Sequence, residues 1–264
     1  MKQKIFWLVV VVMMSISSCS VPKHEGVVKV DGVSECVSAV DDVVVWLSGN
    51  SNQASDVYPG VGNTFPGSRS GMVGDGYNFN GISMITINDS ASLRQESEQG
   101  LSFDFWIKPD FLGTTRILFA KIHDINWISY GLFLLPDGRL SWTVQNKDTD
   151  SWPRWISIVR LPKERFSHVA ITYKKEWINA SDGAIFIDGK QDQVSFEVRN
   201  YTKSFRIKYD STPLFIGNAP DEYKPRSFRG VIDEFRFSSG VLQPNEVKSI
   251  ADARSLGVCK PVQP

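Results

Sequence analysis

The sequence predicts an all-β protein, a sandwich or a barrel, with one short helix near its C-terminal end. From Val37 onward, short runs rich in Val, Ile, Phe, Tyr and Trp recur about every ten residues, which is typical of antiparallel strands. Turn signals such as Pro136-Asp137-Gly138 and Asp188-Gly189 separate these runs. No long segment with the 3.6-residue period of a helix competes with them.

The first residues have the pattern of an export signal. Lys2 and Lys4 precede an apolar run from Ile5 to Met14, and Ile16 to Cys19 read Ile-Ser-Ser-Cys. The apolar run is about a dozen residues long, too short to cross roughly 30 Å of hydrocarbon as a helix, and is expected to be cleaved off. This start resembles a bacterial lipoprotein signal, which implies an acylated Cys19 as the first mature residue. An ordinary secretory signal with a chance cysteine is the alternative.

A lipid-modified Cys19 would place the protein in the bacterial cell envelope, anchored to a membrane without spanning it, with the outer membrane favoured over the inner one. The following residues mix Pro, Gly and charge without periodicity and suit a tether. We therefore predict a signal peptide at 1–18, a lipidated N-terminus and tether at 19–35, one globular domain at 36–260, and a tail at 261–264.

Composition and charge exclude some partners and favour one cross-link. The 29 basic and 29 acidic side chains give a formal net charge of zero, so no overall field attracts nucleic acid. We expect a monomer. Three cysteines occur; with Cys19 claimed by lipid, Cys36 and Cys259 remain at the two ends of the domain, and in an oxidising compartment we expect them to be bonded. Two free thiols are the alternative.

Several strands follow from alternation of apolar and polar residues. In Leu101 to Lys108, the residues Phe103, Phe105 and Ile107 point one way and Asp104, Trp106 and Lys108 the other. Arg139 to Gln145 alternates in the same way and pairs as a hairpin with Leu132 to Leu135. Further strands are predicted at Val43–Leu47, Tyr77–Phe79, Trp155–Leu161, Phe166–Tyr173, Ala184–Asp188, Pro213–Gly217 and Gly230–Phe237.

The one helix predicted is Pro244–Ala253. Pro244 suits a first helical turn, and Val247, Ile250 and Ala251 form one apolar stripe. We expect this helix to cap an edge of the sandwich.

A series of short motifs extends the prediction from fold class to family. In chain order they are Trp46-Leu47-Ser48-Gly49-Asn50, Asp56, Asn78-Phe79-Asn80-Gly81, Phe103-Asp104-Phe105-Trp106-Ile107-Lys108-Pro109, Asp137-Gly138-Arg139-Leu140, His168-Val169-Ala170-Ile171-Thr172-Tyr173, Ile187-Asp188-Gly189, Ile216-Gly217-Asn218 and Gly230-Val231-Ile232-Asp233-Glu234-Phe235-Arg236. This series resembles the bacterial laminin-G-like, concanavalin A-like lectin/glucanase domains. The resemblance implies a two-sheet antiparallel jelly-roll sandwich. It also implies that the terminal Cys259 pairs with a cysteine before the first strand, in agreement with the Cys36–Cys259 pairing.

The sequence lacks the carboxylate pattern of the glucanases in this superfamily. Those enzymes carry Glu-x-Asp-x-x-Glu on one strand, so that all three acids share a face. Here Asp104 is alone on its strand, and Asp233 and Glu234 are adjacent, which predicts opposite faces of the sheet. His168 is expected to have a structural role. No catalytic residue is therefore predicted, and we expect the protein not to be an enzyme.

The resemblance implies a structural Ca²⁺ near the first loop and the last long strand. Candidate oxygen ligands are Asp56, Asn80 and Asp233, with Asn50 from the early loop. Asn50 and Asn80 stand where the family more often has Asp, which reduces the negative charge of the site. The alternative is that Asp56 and Asn80 make local turns and Asp233 takes a backbone or Arg partner.

Sugar-binding jelly rolls use aromatic side chains and a few polar groups, because a pyranose ring has an apolar face and a polar rim. Aromatic residues in or near predicted loops are the candidates: Trp127, Tyr130, Trp152, Trp155 and Trp177. The alternative is that they cover sheet edges. We expect a non-catalytic carbohydrate-binding lipoprotein. A module of the same fold that binds an envelope or extracellular protein is the second hypothesis, and a glycan-cleaving enzyme the third.

Overall fold

The computed structural model describes residues 27–30, 33–37, 43–50, 66–94, 100–124, 127–146, 151–174, 179–200, 207, 209–220 and 226–259. Within them two antiparallel sheets pack face to face, which confirms the predicted sandwich. The predicted signal peptide, Cys19, Asp56 and Trp177 lie outside the described residues.

Strands are numbered in chain order. The seven-stranded sheet contains, in spatial order, β15 (Val194–Arg199), β11 (Trp152–Arg160), β10 (Arg139–Val144), β9 (Trp127–Leu134), β8 (Arg116–Asp124), β16 (Leu214–Ile216) and β6 (Ile85–Ile87). The eight-stranded sheet contains β14 (Lys190–Gln191), β13 (Gly183–Ile187), β12 (Ser167–Tyr173), β7 (Leu101–Pro109), β17 (Arg229–Ser239), β5 (Asp75–Asn80) and β4 (Gly67–Ser70), with β3 (Val43–Leu47) also paired to β17.

Shorter elements complete the fold. These are a hairpin of β1 (Val27–Val30) and β2 (Val33–Val37), helices α1 (Ala91–Arg94) and α2 (Pro244–Ala253), and 3₁₀ turns at Ala180–Asp182 and Arg254–Leu256. The hairpin occupies part of the segment that the sequence indicated as a tether. Cys36 and Cys259 form a disulfide, as predicted, and Val37 lies beside Val258, so the two ends of the domain are adjacent.

The core is aromatic and lies between the sheets. The Phe103 ring stacks on Phe237 with 4.5 Å between centroids and lies 4.3 Å from the Phe119 ring. Tyr130 and Trp142 pack into the same cluster and are fully buried. The residues of β7 predicted to face inward therefore form the centre of the core.

The bounds of β3 and α2 agree with the sequence, whereas strand β8 was not predicted. Lys121 interrupts its apolar run, yet this lysine is fully buried because its Nζ donates to Asp89 and to the Thr212 carbonyl. Such a buried charge is tolerated only with close partners, and these partners are far away in the sequence.

Helix α2 packs on the outer face of the eight-stranded sheet, which corrects the expectation that it caps an edge. Val247 packs with Ala170 and Phe186 of the sheet, and Ile250 packs with Trp46. The predicted apolar stripe is buried. The sheet thus has a covered region on its outer face as well as a core side.

Strand β17 contains a β-bulge at Glu234. Asp233 pairs with Trp106 of β7, but the next pair is Arg236 with Asp104, so β17 has one extra residue at this point. Glu234 has φ of 52°, the left-handed region that few non-glycine residues adopt. Ile232 and Phe235 face the core on either side of the bulge. Asp233 and Glu234 therefore share the outer face, which corrects the prediction that they point to opposite faces.

Candidate functional site

A pocket opens on the outer face of the eight-stranded sheet. Its volume is about 500 Å³, within the range of small-molecule sites. The lining residues come from separate parts of the chain: Met72, Trp106, Lys108, Glu164, Arg165, Phe166, Asp188 and Arg254.

The register of the sheet explains how the pocket is assembled. Trp106 and Lys108 share the outer face of β7, and His168 of β12 pairs with Trp106. The turn before β12 is held against the end of β7, because the Glu164 amide donates to the Pro109 carbonyl over 2.7 Å. Asp188 is fixed by its Oδ1, which accepts the His168 amide over 2.9 Å. Backbone hydrogen bonds therefore position the turns that line the pocket.

Two aromatic side chains give the pocket an apolar component. The Trp106 ring is largely buried, and its edge meets the His168 ring with centroids 5.1 Å apart. The Phe166 ring is partly exposed, and the Lys108 ammonium lies 4.6 Å from its centroid in a cation–π contact. Aromatic surface and polar groups thus occur together in the pocket, which suits a ligand with an apolar face and a polar rim.

Three residues that line the pocket have left-handed backbone conformations. Glu164, Asp188 and Arg254 have φ of 60°, 49° and 45°. Such conformations cost on the order of 1–3 kcal/mol and tend to cluster at functional sites, because the surrounding structure must hold them. Among the non-glycine residues that the structure describes, positive φ also occurs at Asn200 and at Glu234. The concentration at the pocket marks it as a candidate functional site.

A buried charge network lies in the sheet next to the pocket. The Arg236 guanidinium contacts the Asp104 carboxylate, with Nε 3.1 Å from Oδ1, and its Nη1 lies 3.3 Å from Glu234 Oε2. The same Oε2 accepts the Trp46 indole N–H over 2.8 Å. His168 Nε2 is 3.3 Å from Asp104 Oδ1. The structural role predicted for His168 is supported by this contact, since the ring is fully buried.

The acids of this network differ in their environments. Burial would raise the pKa of Asp104, but the charges and hydrogen bonds of Arg236 and His168 hold it below its usual range. Burial raises the pKa of Glu234 to about 7, against the opposing charge of Arg236. Burial also raises the pKa of Asp233 to about 6. None of these three acids lines the pocket.

Asp233 holds the turn that brings Met72 to the pocket. Its Oδ2 accepts the amides of Met72 and Val73 over 2.8 and 2.9 Å. A Cβ on Gly71 would overlap the Asp233 carboxylate, so glycine is required for this approach. This is the backbone partner that the sequence left open as the alternative to a metal.

The predicted calcium ligands Asn80 and Asp233 do not converge. Asn80 pairs with Arg229, four positions from Asp233 along β17, which corresponds to about 13 Å at the usual rise of a strand. The Asn80 Oδ1 accepts the amides of Ile82 and Ser83 in a local turn. Asn80 therefore does not fit a shared site, which corrects that part of the ligand set.

Asp233 by itself supplies only part of the roughly six to eight oxygen ligands that a calcium ion takes. Its buried Oδ1 has no hydrogen-bond partner among the described residues, and an unpartnered carboxylate oxygen is a suitable calcium ligand. The described part of the chain contains no group of three or more His, Cys, Asp or Glu side chains placed to hold a metal ion.

The aromatic candidates from the sequence are not brought together as a sugar platform. Tyr130 and Trp155 are fully buried, and this corrects their prediction as ligand-binding residues. Tyr130 donates to the Leu93 carbonyl over 3.1 Å, and the Trp155 indole donates to the Ala180 carbonyl over 3.1 Å. Both rings lie in the core because their strands turn these positions inward.

Trp152 retains some exposure at the start of β11 and packs against the outer apolar cluster of the seven-stranded sheet. Trp127 begins β9 in the hairpin with β8. Trp152 pairs with Arg199 of β15, the strand at the edge of the seven-stranded sheet. Trp152 thus remains a separate candidate contact on the other sheet.

Comparison with known proteins identifies the family. The family described as the concanavalin A-like lectin/glucanases superfamily matches residues 79–248, more than half of the chain. The chain belongs to this family. The match confirms the laminin-G-like resemblance and includes β7, β12 and β17, which carry the charge network. No curated protein matches the sequence significantly.

Solved structures share the fold at low sequence identity. The binding domain of Paraclostridial Mosquitocidal Protein 1 is 15% identical, with a TM-score of 0.65, over 81% of this chain and 52% of that one. Domain 4 of AbnA, an arabinanase of Geobacillus stearothermophilus solved with arabinotriose, is 21% identical, with a TM-score of 0.58, over 80% and 98%. The binding domain of botulinum neurotoxin DC with SialylT is 12% identical, with a TM-score of 0.56, over 81% and 52%. The chain spans about half of each toxin binding domain.

Sequence reasoning selected none of the residues that line the pocket as ligand-binding. One signal was available in the sequence: the alternation of β7 places Trp106 and Lys108 together on the face opposite the core. Phe166 and Arg254 gave no such signal, since only the packed chain brings them to β7.

Proposed function

We propose that this protein is a non-catalytic carbohydrate-binding module and that its sugar binds in the pocket around Trp106 and Phe166. The observation that carries the proposal is the combination of aromatic rings and charged side chains in one pocket of about 500 Å³. A sugar ring stacks its apolar face on an aromatic ring and offers hydroxyls to polar groups at the rim.

The ligands of two proteins with similar folds support the same proposal. The arabinanase domain was solved with arabinotriose, and the botulinum neurotoxin DC domain with SialylT. The other structures compared include binding domains rather than catalytic ones. Their sequence identities to this chain are low, so the ligand of this protein must be inferred from its own residues.

Binding of the full-length protein in detergent to a broad glycan panel tests the proposal, with Phe166→Ala as the site variant. Phe111→Ala is the matched control, because Phe111 is also a partly exposed ring with a cation, Arg116, 5.3 Å from its centroid, and it does not line the pocket. We expect at least one glycan to bind, about tenfold more weakly to Phe166→Ala than to Phe111→Ala.

Two results would contradict the proposal. A panel without binding would favour the second hypothesis, a module that recognises an envelope protein. Equal binding by the two variants would place the sugar elsewhere, and Trp152→Ala would then be the variant to examine.

We also propose that acylation of Cys19 anchors the protein in the bacterial envelope. The support is the signal-like sequence before Cys19. Among the described residues no helix combines the length and apolarity required to cross a bilayer. Expression in a bacterium with labelled fatty acid should label the protein and leave it in the membrane fraction. Cys19→Ala should lose both, whereas Ser20→Ala should lose neither. Unlabelled wild-type protein would sink the proposal.

A further inference from the structure

We infer that the ligand of the pocket is an acidic glycan, one whose bound sugar ring carries a carboxylate or a sulfate group. This inference rests on the proposed function and names the ligand class of the same site. Its basis is the balance of charge among the residues that line the pocket.

Three cationic side chains line the pocket without an acidic partner among the residues that the structure describes. Within the described part of the chain, no carboxylate oxygen lies within 4.0 Å of the charged groups of Lys108, Arg165 or Arg254. Lys108 is stabilised instead by the Phe166 ring. Elsewhere on the surface comparable cations are paired, as with Arg69 and Asp110 at 2.8 Å. The pocket therefore presents positive charge that a ligand can neutralise.

The two acids of the pocket do not neutralise these cations. Glu164 Oε1 lies 3.0 Å from the ammonium of Lys163, which lies outside the pocket. The Asp188 carboxylate accepts the His168 amide and so is directed at the backbone of β12. Each acid thus has a partner of its own, and the positive groups remain available.

The types and positions of the cations suit an anion on a ring. Arg165 and Arg254 carry guanidinium groups, which form two parallel hydrogen bonds with a carboxylate or a sulfate. Phe166 supplies the exposed aromatic surface for the ring itself, whereas Trp106, which is 4% exposed, contributes only a small part of it. Sugars with a carboxylate and sulfated sugars both combine a ring that can stack on an aromatic side chain with an anionic group that can bind a guanidinium. Neutral sugars lack the anionic group.

The experiment compares matched glycans that differ only in charge. Full-length protein in detergent is titrated with the acidic glycans of the panel and with their neutral forms, prepared by methyl esterification of carboxylates or by removal of sulfate. Vesicles of phosphatidylglycerol serve as a non-glycan anionic probe. We expect at least about tenfold tighter binding of one acidic form than of its neutral counterpart, with a loss of that preference as salt rises from about 0.05 to 0.5 M.

The site variant is Arg165→Gln/Arg254→Gln. The control is Arg160→Gln/Lys174→Gln, which removes the same charge from exposed positions outside the pocket. We expect the site variant to lose about tenfold or more in affinity for acidic glycans and to keep its affinity for neutral ones, while the control matches the wild type.

Each other outcome has a defined meaning. Equal binding of acidic and neutral forms, with loss only in Phe166→Ala, would overturn the acidic ligand and leave carbohydrate binding intact. Equal losses in both charge variants would show non-specific attraction and overturn the inference. Binding to vesicles but to no glycan would overturn both this inference and the proposed function.

Discussion

Asp233 and Glu234 are adjacent in the sequence, yet their side chains lie on the same face of the eight-stranded sheet. The bulge at Glu234 adds one residue to β17 and breaks the alternation of faces. Asp233 then fixes the turn at Met72, and Glu234 bonds Trp46 of β3. One irregular residue thus joins the pocket-lining turn and strand β3 to the centre of the sheet.

Removal of the buried cation in this region should strongly destabilise the fold. Arg236→Met leaves the Asp104 carboxylate buried without its main partner, so we expect the free energy of unfolding to fall by about 3–5 kcal/mol. Urea denaturation measures this change. Lys248→Met, which breaks an exposed pair with Asp252, should change stability by less than about 1 kcal/mol. Equal effects of the two variants would contradict the structural role of the network.

Loss of the disulfide should also lower stability. The bond joins residues separated by 223 positions, and closure of so long a loop is worth about 5 kcal/mol in the chain-entropy model, an upper figure. Cys36→Ser/Cys259→Ser should therefore unfold at a clearly lower urea concentration than the oxidised wild type. Reduction of the wild type should reproduce the shift. An unchanged midpoint would show that the β2–Val258 contacts alone hold the two ends together.

The ion pair of Asp89 with buried Lys121 should make stability depend on pH. Burial opposes ionisation of Asp89, but Arg94 and Lys121 hold its pKa below the usual 3.8. Because the folded-state pKa is lowered, the stabilisation is present above about pH 4 and is lost as the pH falls through the folded-state value. Asp89→Asn should cost about 3–5 kcal/mol at neutral pH and progressively less in acid.

Denaturation of wild type and Asp89→Asn at several pH values measures this difference. Asp137→Asn is the control, since its pair with Arg139 is largely exposed and should contribute less than about 1 kcal/mol. A difference that stays constant from neutral to acidic pH would contradict the ion-pair explanation.

Calcium should raise the melting temperature if the unpartnered Oδ1 of Asp233 binds the cation. Asp233→Asn lowers stability in any case, because its Oδ2 holds the turn at Met72, so the relevant quantity is the shift that calcium produces. We expect a positive shift in the wild type and in Asn80→Ala, and none in Asp233→Asn. Identical melting of the wild type in calcium and in chelator would contradict this prediction.

The strained backbone at Arg254 should lower the stability of the fold, while the Arg254 side chain contributes to ligand binding. Its φ of 45° favours glycine, so Arg254→Gly should raise the free energy of unfolding by about 1 kcal/mol. Arg254→Ala removes the same side chain and keeps the strain. Both variants should weaken binding of an acidic glycan, and only the glycine variant should gain stability. A stability gain by both would show that the side chain, not the backbone, is the source of the strain.

Much of the sandwich could be predicted from local sequence. Alternation identified β7 and the β9–β10 hairpin, and proline placement together with the apolar stripe identified α2. The predicted oxidising compartment and the cysteine count together predicted the disulfide. The strands and the helix depend on residues that are close together in the sequence. The disulfide follows from pairing Cys36 with Cys259 once Cys19 is assigned to lipid.

The binding residues were less predictable. Tyr130 and Trp155 were selected because they stand near loop-like sequence, but an aromatic side chain has the same local pattern whether it fills a core or covers a surface. Their burial depends on which face of the strand meets the second sheet. Trp106 shows the converse, since it was not among the ligand-binding candidates and yet lines the pocket.

The sequence by itself determined the fold class, the family, the terminal helix and the covalent closure of the domain, because each follows from periodicity, motif order or composition. The tertiary structure alone decided the pocket and its charge. Its residues come from β7, the turn before β12, the turn after β13, the segment following α2 and the turn at Met72. Contacts between such distant segments depend on sheet register and on the bulge at Glu234, and neither is encoded in a short stretch of residues.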